Sequence, residues 1–167
     1  EAGIARVAAG LDRAHAATAG FRTLTLLEIT AGQGTALGCR FEHLASMRRQ
    51  VVDPARVAVC FDTCHAFASG YDFRTPEGYA EMMDSFDRTI GLDLIRCFHF
   101  NDSKGGLGSR KDRHEHIGQG AIGLSGFAHI LNDARFAGVP MILETPKSDD
   151  MHEDVENLAV LRGLVKS

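Results

Sequence analysis

The chain has 167 residues, of which 44% are hydrophobic and 24% charged. That composition belongs to a folded globular protein and excludes intrinsic disorder. The net charge of −4 excludes a bulk basic signature for nucleic acid, although two bound divalent cations would cancel it.

Helical and extended patterns alternate along the chain. Residues 1–19 carry Ile4, Val7, Ala8 and Leu11 at helical spacing, with Gly20 as a stop. A short apolar run at 24–28 predicts a strand, and Gly32, Gly34 and Gly38 mark the loop after it. Residues 41–51 predict a helix, and 56–62 (RVAVCFD) a buried strand. Thr75 followed by Pro76 has the form of a helix start with an N-cap and a first-turn proline, and that helix should reach about Ile90. Residues 94–100 predict a third strand, and 101–123 a long polar, glycine-rich loop of the kind that tends to carry function. A helix over 125–133, a strand over 139–144 and a helix over 151–165 complete the chain. This α-βα-βα-βα-βα order predicts an α/β domain with parallel strands and right-handed crossovers. A complete (β/α)8 barrel needs about 250 residues, so a whole barrel is not expected.

No apolar run approaches the roughly 18 residues of a membrane helix. No basic segment leads into an apolar stretch as in a signal peptide. A cytoplasmic protein with no membrane partner is therefore expected. Cys39, Cys60, Cys64 and Cys97 form no CxxC pair and are expected to be reduced thiols. The loop Gly32-Gln-Gly34 matches neither a dinucleotide fingerprint nor a P-loop.

The chemistry lies at the strand ends. Glu28, Asp62, His99 and Glu144 close the four predicted strands. In parallel α/β proteins these ends share one side, where sites form, so the four residues should meet. His65 stands three residues past Asp62, and Asp112 and His114 lie two apart, on one side of an extended segment. Mixed carboxylate and imidazole donors suit Zn²⁺, Mn²⁺ or Fe²⁺. Seven donors exceed one tetrahedral site, so more than one ion is expected, as in paired-ion phosphoester hydrolysis. His15, His43, His129 and His152 fall in predicted helices and are read as structural or surface groups, and His116 is left outside the metal set. Asn101 and Asp102 are read as turn formers or as substrate contacts, with spacing favouring the former. Lys104, Arg110, Lys111 and Arg113 make a local basic patch that, beside a metal site, favours a phosphate-bearing substrate.

Four segments carry a family resemblance: LEITAGQGTALGCRFEHL at 27–44, FDTCHAFASGYDFRT at 61–75, HFNDSKGGLGSRKDRHEHIGQGAIG at 99–123 and PMILETPK at 140–147. In order and spacing they resemble the endonuclease IV family of apurinic/apyrimidinic endonucleases, over nearly the whole chain. The resemblance implies a xylose-isomerase-like (β/α)8 barrel with three zinc ions at its strand C-termini. This chain would be its C-terminal half, a single partial TIM-barrel domain over 1–167 with barrel strands 5 to 8 and their helices. It implies zinc ligation by Glu28, Asp62, His65, His99, Asp112, His114 and Glu144. Glu28, Asp62, His99 and Glu144 would serve one ion, Glu28 would bridge to a second, and His65, Asp112 and His114 would serve the third. The second ion's two further histidines, from earlier strands, have no counterpart here. Ile29 and Gln119 stand where the family has Asn and Glu.

The implied activity is cleavage of duplex DNA 5′ to an abasic site, leaving a 3′-hydroxyl. Glu144 and Glu28 are then the catalytic carboxylates, Glu144 orienting or deprotonating the water, and Lys104, Arg110 and Arg113 hold the DNA backbone. A monomer is expected at full length. Two other readings stand beside it: a divalent-metal sugar isomerase or epimerase on the same barrel type, and a metal-binding fragment without activity. Fold alone does not separate them.

Overall fold

The computed structural model describes residues 1–166. Helix α1 (Ala2–Ala17) is followed by strand β1 (Thr25–Glu28), helix α2 (Phe41–Gln50) and strand β2 (Val57–Asp62). Two helices follow, α3 (Thr63–Ser69) and α4 (Pro76–Thr89), then strand β3 (Ile95–Phe100). Two short strands, β4 (Asp102–Ser103) and β5 (His114–Glu115), precede α5 (Gly123–Leu131), β6 (Met141–Leu143) and α6 (His152–Leu164).

The main sheet has the order β1-β2-β3-β6, and each neighbouring pair is parallel. Spatial order follows chain order, so successive crossovers step the sheet in one direction, as in a barrel wall. A doubly wound sheet would reverse its order at a switch point. Among the described residues β1 and β6 are open edges, and Ile142 on β6 is 49% exposed. Open edges are what a partial barrel requires. No described helix is long and apolar enough to cross a membrane.

All six residues of β2 are buried, as a central parallel strand requires. Side chains alternate across the sheet. One face sends Val57, Val59, Phe61, Phe98 and Phe100 into an aromatic core shared with the helices. Phe41 of α2 stacks on Tyr71 at 4.0 Å between centroids and meets Phe86 of α4 edge-on at 4.9 Å. Phe98 meets Phe136 at 5.0 Å, and Phe100 meets Phe127 of α5 at 5.6 Å. Each buried ring contributes roughly 1.5–3 kcal/mol of transfer free energy. This core sets the height of the strands, and the polar residues of the opposite face ride on it. Cys60, Cys64 and Cys97 are buried free thiols, and Cys39 is half-buried.

Two regions depart from the sequence reading. Residues 63–69 form α3, a helix too short to show a clear period in the sequence. The Asp62 side chain caps it by accepting from the His65 N–H at 2.8 Å, and Gly70 ends it at φ 113°. The long loop is not all irregular: β4 and β5 pair antiparallel, Asp102 with Glu115 and Ser103 with His114. This hairpin carries His114 back over the strand ends.

Candidate metal centre

The first donor set comes from the ends of the four main strands. Parallel register places Asp62 opposite His99, and Glu28 opposite Cys60 one level below. Glu144 follows β6 directly. His99 Nδ1 lies 3.0 Å from Glu144 Oε2, 3.3 Å from Glu28 Oε1 and 3.9 Å from Asp62 Oδ2. Ligand atoms of all four residues lie within 4.8 Å of one another.

The second set comes from α3 and the loop. His65 sits in the first turn of α3, so the cap that starts this helix also aims its imidazole at the strand ends. The Nδ1–H of His65 is shared between Ile29 O at 3.0 Å and Glu28 Oε1 at 3.1 Å. His114 Nδ1 donates to Glu144 O at 3.0 Å. Both rings therefore present Nε2. His65 Nε2 lies 3.2 Å from Asp112 Oδ1, His114 Nε2 lies 3.4 Å from the same oxygen, and the two nitrogens are 3.4 Å apart. Donors about 2.0–2.2 Å from a tetrahedral zinc ion stand about 3.3–3.5 Å from one another. The donors present fit such an ion in type and spacing. The structure thus brings together all seven residues predicted from the sequence, in the two groups that the resemblance implied.

The electrostatics follow from packing carboxylates and imidazoles together. Burial alone would raise the Glu28 carboxyl, but hydrogen bonds from His65 and His99 outweigh it and hold it at about 2. Burial alone would lower the His65 imidazole, but the Glu28 hydrogen bond and the charges of Asp62 and Asp112 raise it to about 9. The hydrogen bond to Glu28 likewise raises His99, against burial. Asp62 is fully buried, and burial pushes its carboxyl up. A cation bound here displaces protons from imidazole and takes over the role of partner to the carboxylates.

Asn101 and Asp102 are more than turn formers, and this corrects the sequence reading. Asn101 is fully buried. Its Nδ2 donates to Asp62 Oδ2 at 2.7 Å, and its Oδ1 accepts the Glu144 N–H at 2.9 Å. It ties a ligand of β2 to the backbone of a ligand beyond β6. Asp102, also fully buried, accepts from the N–H groups of Ser103, Gly118, Ile122 and Gly123. It closes the loop's far end onto β4. The usable sequence signal was their position: an apolar strand running directly into Asn-Asp beside a ligand.

The other histidines have structural partners. His15 Nε2 pairs with Thr25 Oγ1, His43 accepts from the Gly38 N–H, and His129 stacks on Tyr79. His116 Nδ1 meets Asn157 Nδ2 at 3.1 Å, outside the metal set. His152 is an exposed partner of Asp150.

Lys104 and Arg113 join Lys111, Gln33 and Gly105 around an open cleft of about 590 Å³ beside Asp112. The Asp112 N–H donates to Gln33 Oε1 at 3.1 Å, so the glycine loop forms one rim of this cleft. Arg110 does not line it. Its backbone N–H is held by Ala68 O, at the C-terminal end of α3, and its φ is 54°.

A family model described as xylose isomerase-like TIM barrel matches residues 1–164. A probable endonuclease 4 of Chloroflexus aurantiacus is 56% identical over 166 residues, which are 99% of this chain and 58% of the relative. A probable endonuclease 4 of Geobacter sulfurreducens is 55% identical, covering 99% of this chain and 56% of the relative. The crystal structure of endonuclease IV from Thermus thermophilus superposes with a TM-score of 0.82 at 41% identity, over 96% of this chain and 57% of that one. This chain therefore spans a little under three fifths of the length of these relatives, and its four parallel βα units form part of a barrel. A matching family model over nearly all residues and a sheet stepped like a barrel wall agree: the chain belongs to the xylose isomerase-like TIM barrel family and, within it, is similar to endonuclease IV proteins.

Proposed function

We propose that the protein is a zinc-dependent DNA repair endonuclease that hydrolyses the phosphodiester bond 5′ to an abasic site in duplex DNA, leaving a 3′-hydroxyl. The observation that carries this reading is the convergence of two donor sets, joined by the 3.1 Å contact between His65 and Glu28, beside a basic cleft. The names of the relatives support the reaction class.

Ions held by these two sets supply Lewis acidity toward phosphoryl oxygens and lower the pKa of water. The chain's own residues do the rest. Glu144 has the most exposed carboxylate of its set, 44% against 34% for Glu28 and 0% for Asp62. It is the group placed to orient an attacking water and take its proton. Its backbone N–H is fixed by Asn101 and its carbonyl holds His114, so one residue ties the water-facing carboxylate to both donor sets. Glu28 joins the sets and keeps its charge through His65 and His99. Lys104 and Arg113 at the cleft, with Arg110 beside it, hold the DNA backbone through its phosphates.

The test is a duplex with a single abasic site, incubated with two zinc-loaded proteins. One is this chain alone. The other is this chain joined to the portion of the Chloroflexus aurantiacus relative that it does not match. The joined protein is expected to nick the duplex on the 5′ side of the site, and the chain alone to cut weakly or not at all. An uncut duplex with the joined, zinc-loaded protein sinks the proposal. Turnover of a ketose in its place moves the reading to a sugar isomerase.

A further inference from the structure

One level below Asp62 and His99, beside Glu28, the inner face of the sheet changes chemistry. Cys60 of β2 and Cys97 of β3 are register partners on adjacent parallel strands, so their thiols point to the same side. Both are buried, at 4% and 6% exposure. Asp62 and His99, two residues further along the same strands, share that face. The two sulfurs and one imidazole nitrogen of His99 all lie within 4.8 Å of one another. Sulfur donors about 2.3 Å from a bound metal stand about 4 Å apart, so the three atoms sit at a separation that one cation can bridge. Nothing in the proposed hydrolysis uses either thiol.

We propose that Cys60, Cys97 and His99 form a second site, for a soft, thiophilic cation of the Cu(I) or Cd(II) class. Thiolate sulfur selects such ions, while the Glu28, Asp62 and Glu144 oxygens select harder ones. The two sites share His99, so occupation of the sulfur site draws that imidazole away from Glu28 and Glu144. Hard and soft cations then compete for one ring. This competition rests on the reading of His99 as a ligand of the carboxylate set.

Cadmium is the probe. The reduced chain is titrated with Cd²⁺ under anaerobic conditions and followed by the ultraviolet absorption of cadmium–thiolate bonds, with zinc counted by elemental analysis. C39S/C64S, which keeps only the two proposed thiols, is expected to retain the absorption, saturating at one cadmium per chain. C60S/C97S is expected to lose it. Loss of the absorption in C39S/C64S overturns the site, and so does its retention in C60S/C97S. C39S/C64S keeps the test decisive even if C60S/C97S does not fold. Cadmium-loaded C39S/C64S is expected to take up one zinc ion fewer than the cadmium-free variant. An unchanged zinc count with cadmium bound overturns the sharing of His99. A cadmium-free chain that binds no zinc fails the carboxylate reading instead, and leaves the absorption to decide the thiol site.

Discussion

Asn101→Ala tests the claim that one buried amide holds the centre together. The side chain is fully buried and makes two hydrogen bonds of 2.7 and 2.9 Å, to Asp62 and to the Glu144 N–H. Alanine leaves a buried carboxylate oxygen and a backbone N–H without these partners. An unsatisfied buried polar group costs roughly 1–3 kcal/mol, and more where it is charged. The expected loss is about 3–5 kcal/mol, a large share of a domain stability of about 5–15 kcal/mol. Loss of an outer partner to a ligand also weakens metal binding by about 10–100-fold. Urea denaturation of the zinc-free chain reads the first quantity, and calorimetric zinc titration reads the second. Asn101→Asp keeps the size but sets a second carboxylate against Asp62. Its zinc-free form should regain stability on acidification, when the added carboxylate is protonated. If Asn101→Ala stays within about 0.5 kcal/mol of the parent and binds zinc equally well, the positioning argument is wrong.

Asp102→Ala removes the acceptor for four backbone N–H groups. We expect a loss of about 2–4 kcal/mol and new proteolytic cuts within residues 118–123, read by mass spectrometry. The zinc-free chain should be most stable between about pH 4.5 and 6.5. The His65 value is raised from 6.5 to about 9, so its contribution is complete below pH 6.5 and lost as pH climbs through 9. The Glu28 value is lowered from 4.5 to about 2, so its contribution is complete above pH 4.5 and lost as pH falls through 2. The two belong to one ion pair and count once, at most about 3 kcal/mol; a flat denaturation profile between pH 6 and 10 contradicts the assignment. Elemental analysis of the zinc-loaded chain should find at most two tightly held ions, and His114→Ala should lose one of them while keeping the other. In the joined protein, Lys104→Ala, Arg110→Ala and Arg113→Ala should each weaken DNA binding whatever the sequence and lower the salt-dependence slope by about 1. An unchanged slope places that residue off the backbone.

Much of the site was legible because the donor types and the strand periods lie in the chain itself. Glu28, Asp62, His99 and Glu144 each follow an apolar run, and parallel strands gather such ends on one side. Asp112 and His114 could be paired from their two-residue spacing. His65 is a candidate donor from its place three residues past Asp62, but the helix that aims it is not legible there, because Asp62 serves as both strand end and cap. Asn101 and Asp102 were misread for a different reason. Turn propensity is a local signal, whereas Asn101 meets partners 39 and 43 residues away.

The amino-acid sequence by itself determined the alternation of strands and helices and the inventory of candidate donors. These follow from period and side-chain chemistry, which are local properties. Tertiary structure alone decided which nitrogen of His65 and His114 faces the centre, how far Glu28 is held below an ordinary carboxyl and His65 above an ordinary imidazole, and that Cys60 and Cys97 lie side by side beneath them. Those properties depend on hydrogen-bond partners, burial and register between strands far apart in the chain, and they exist only once the sheet has assembled.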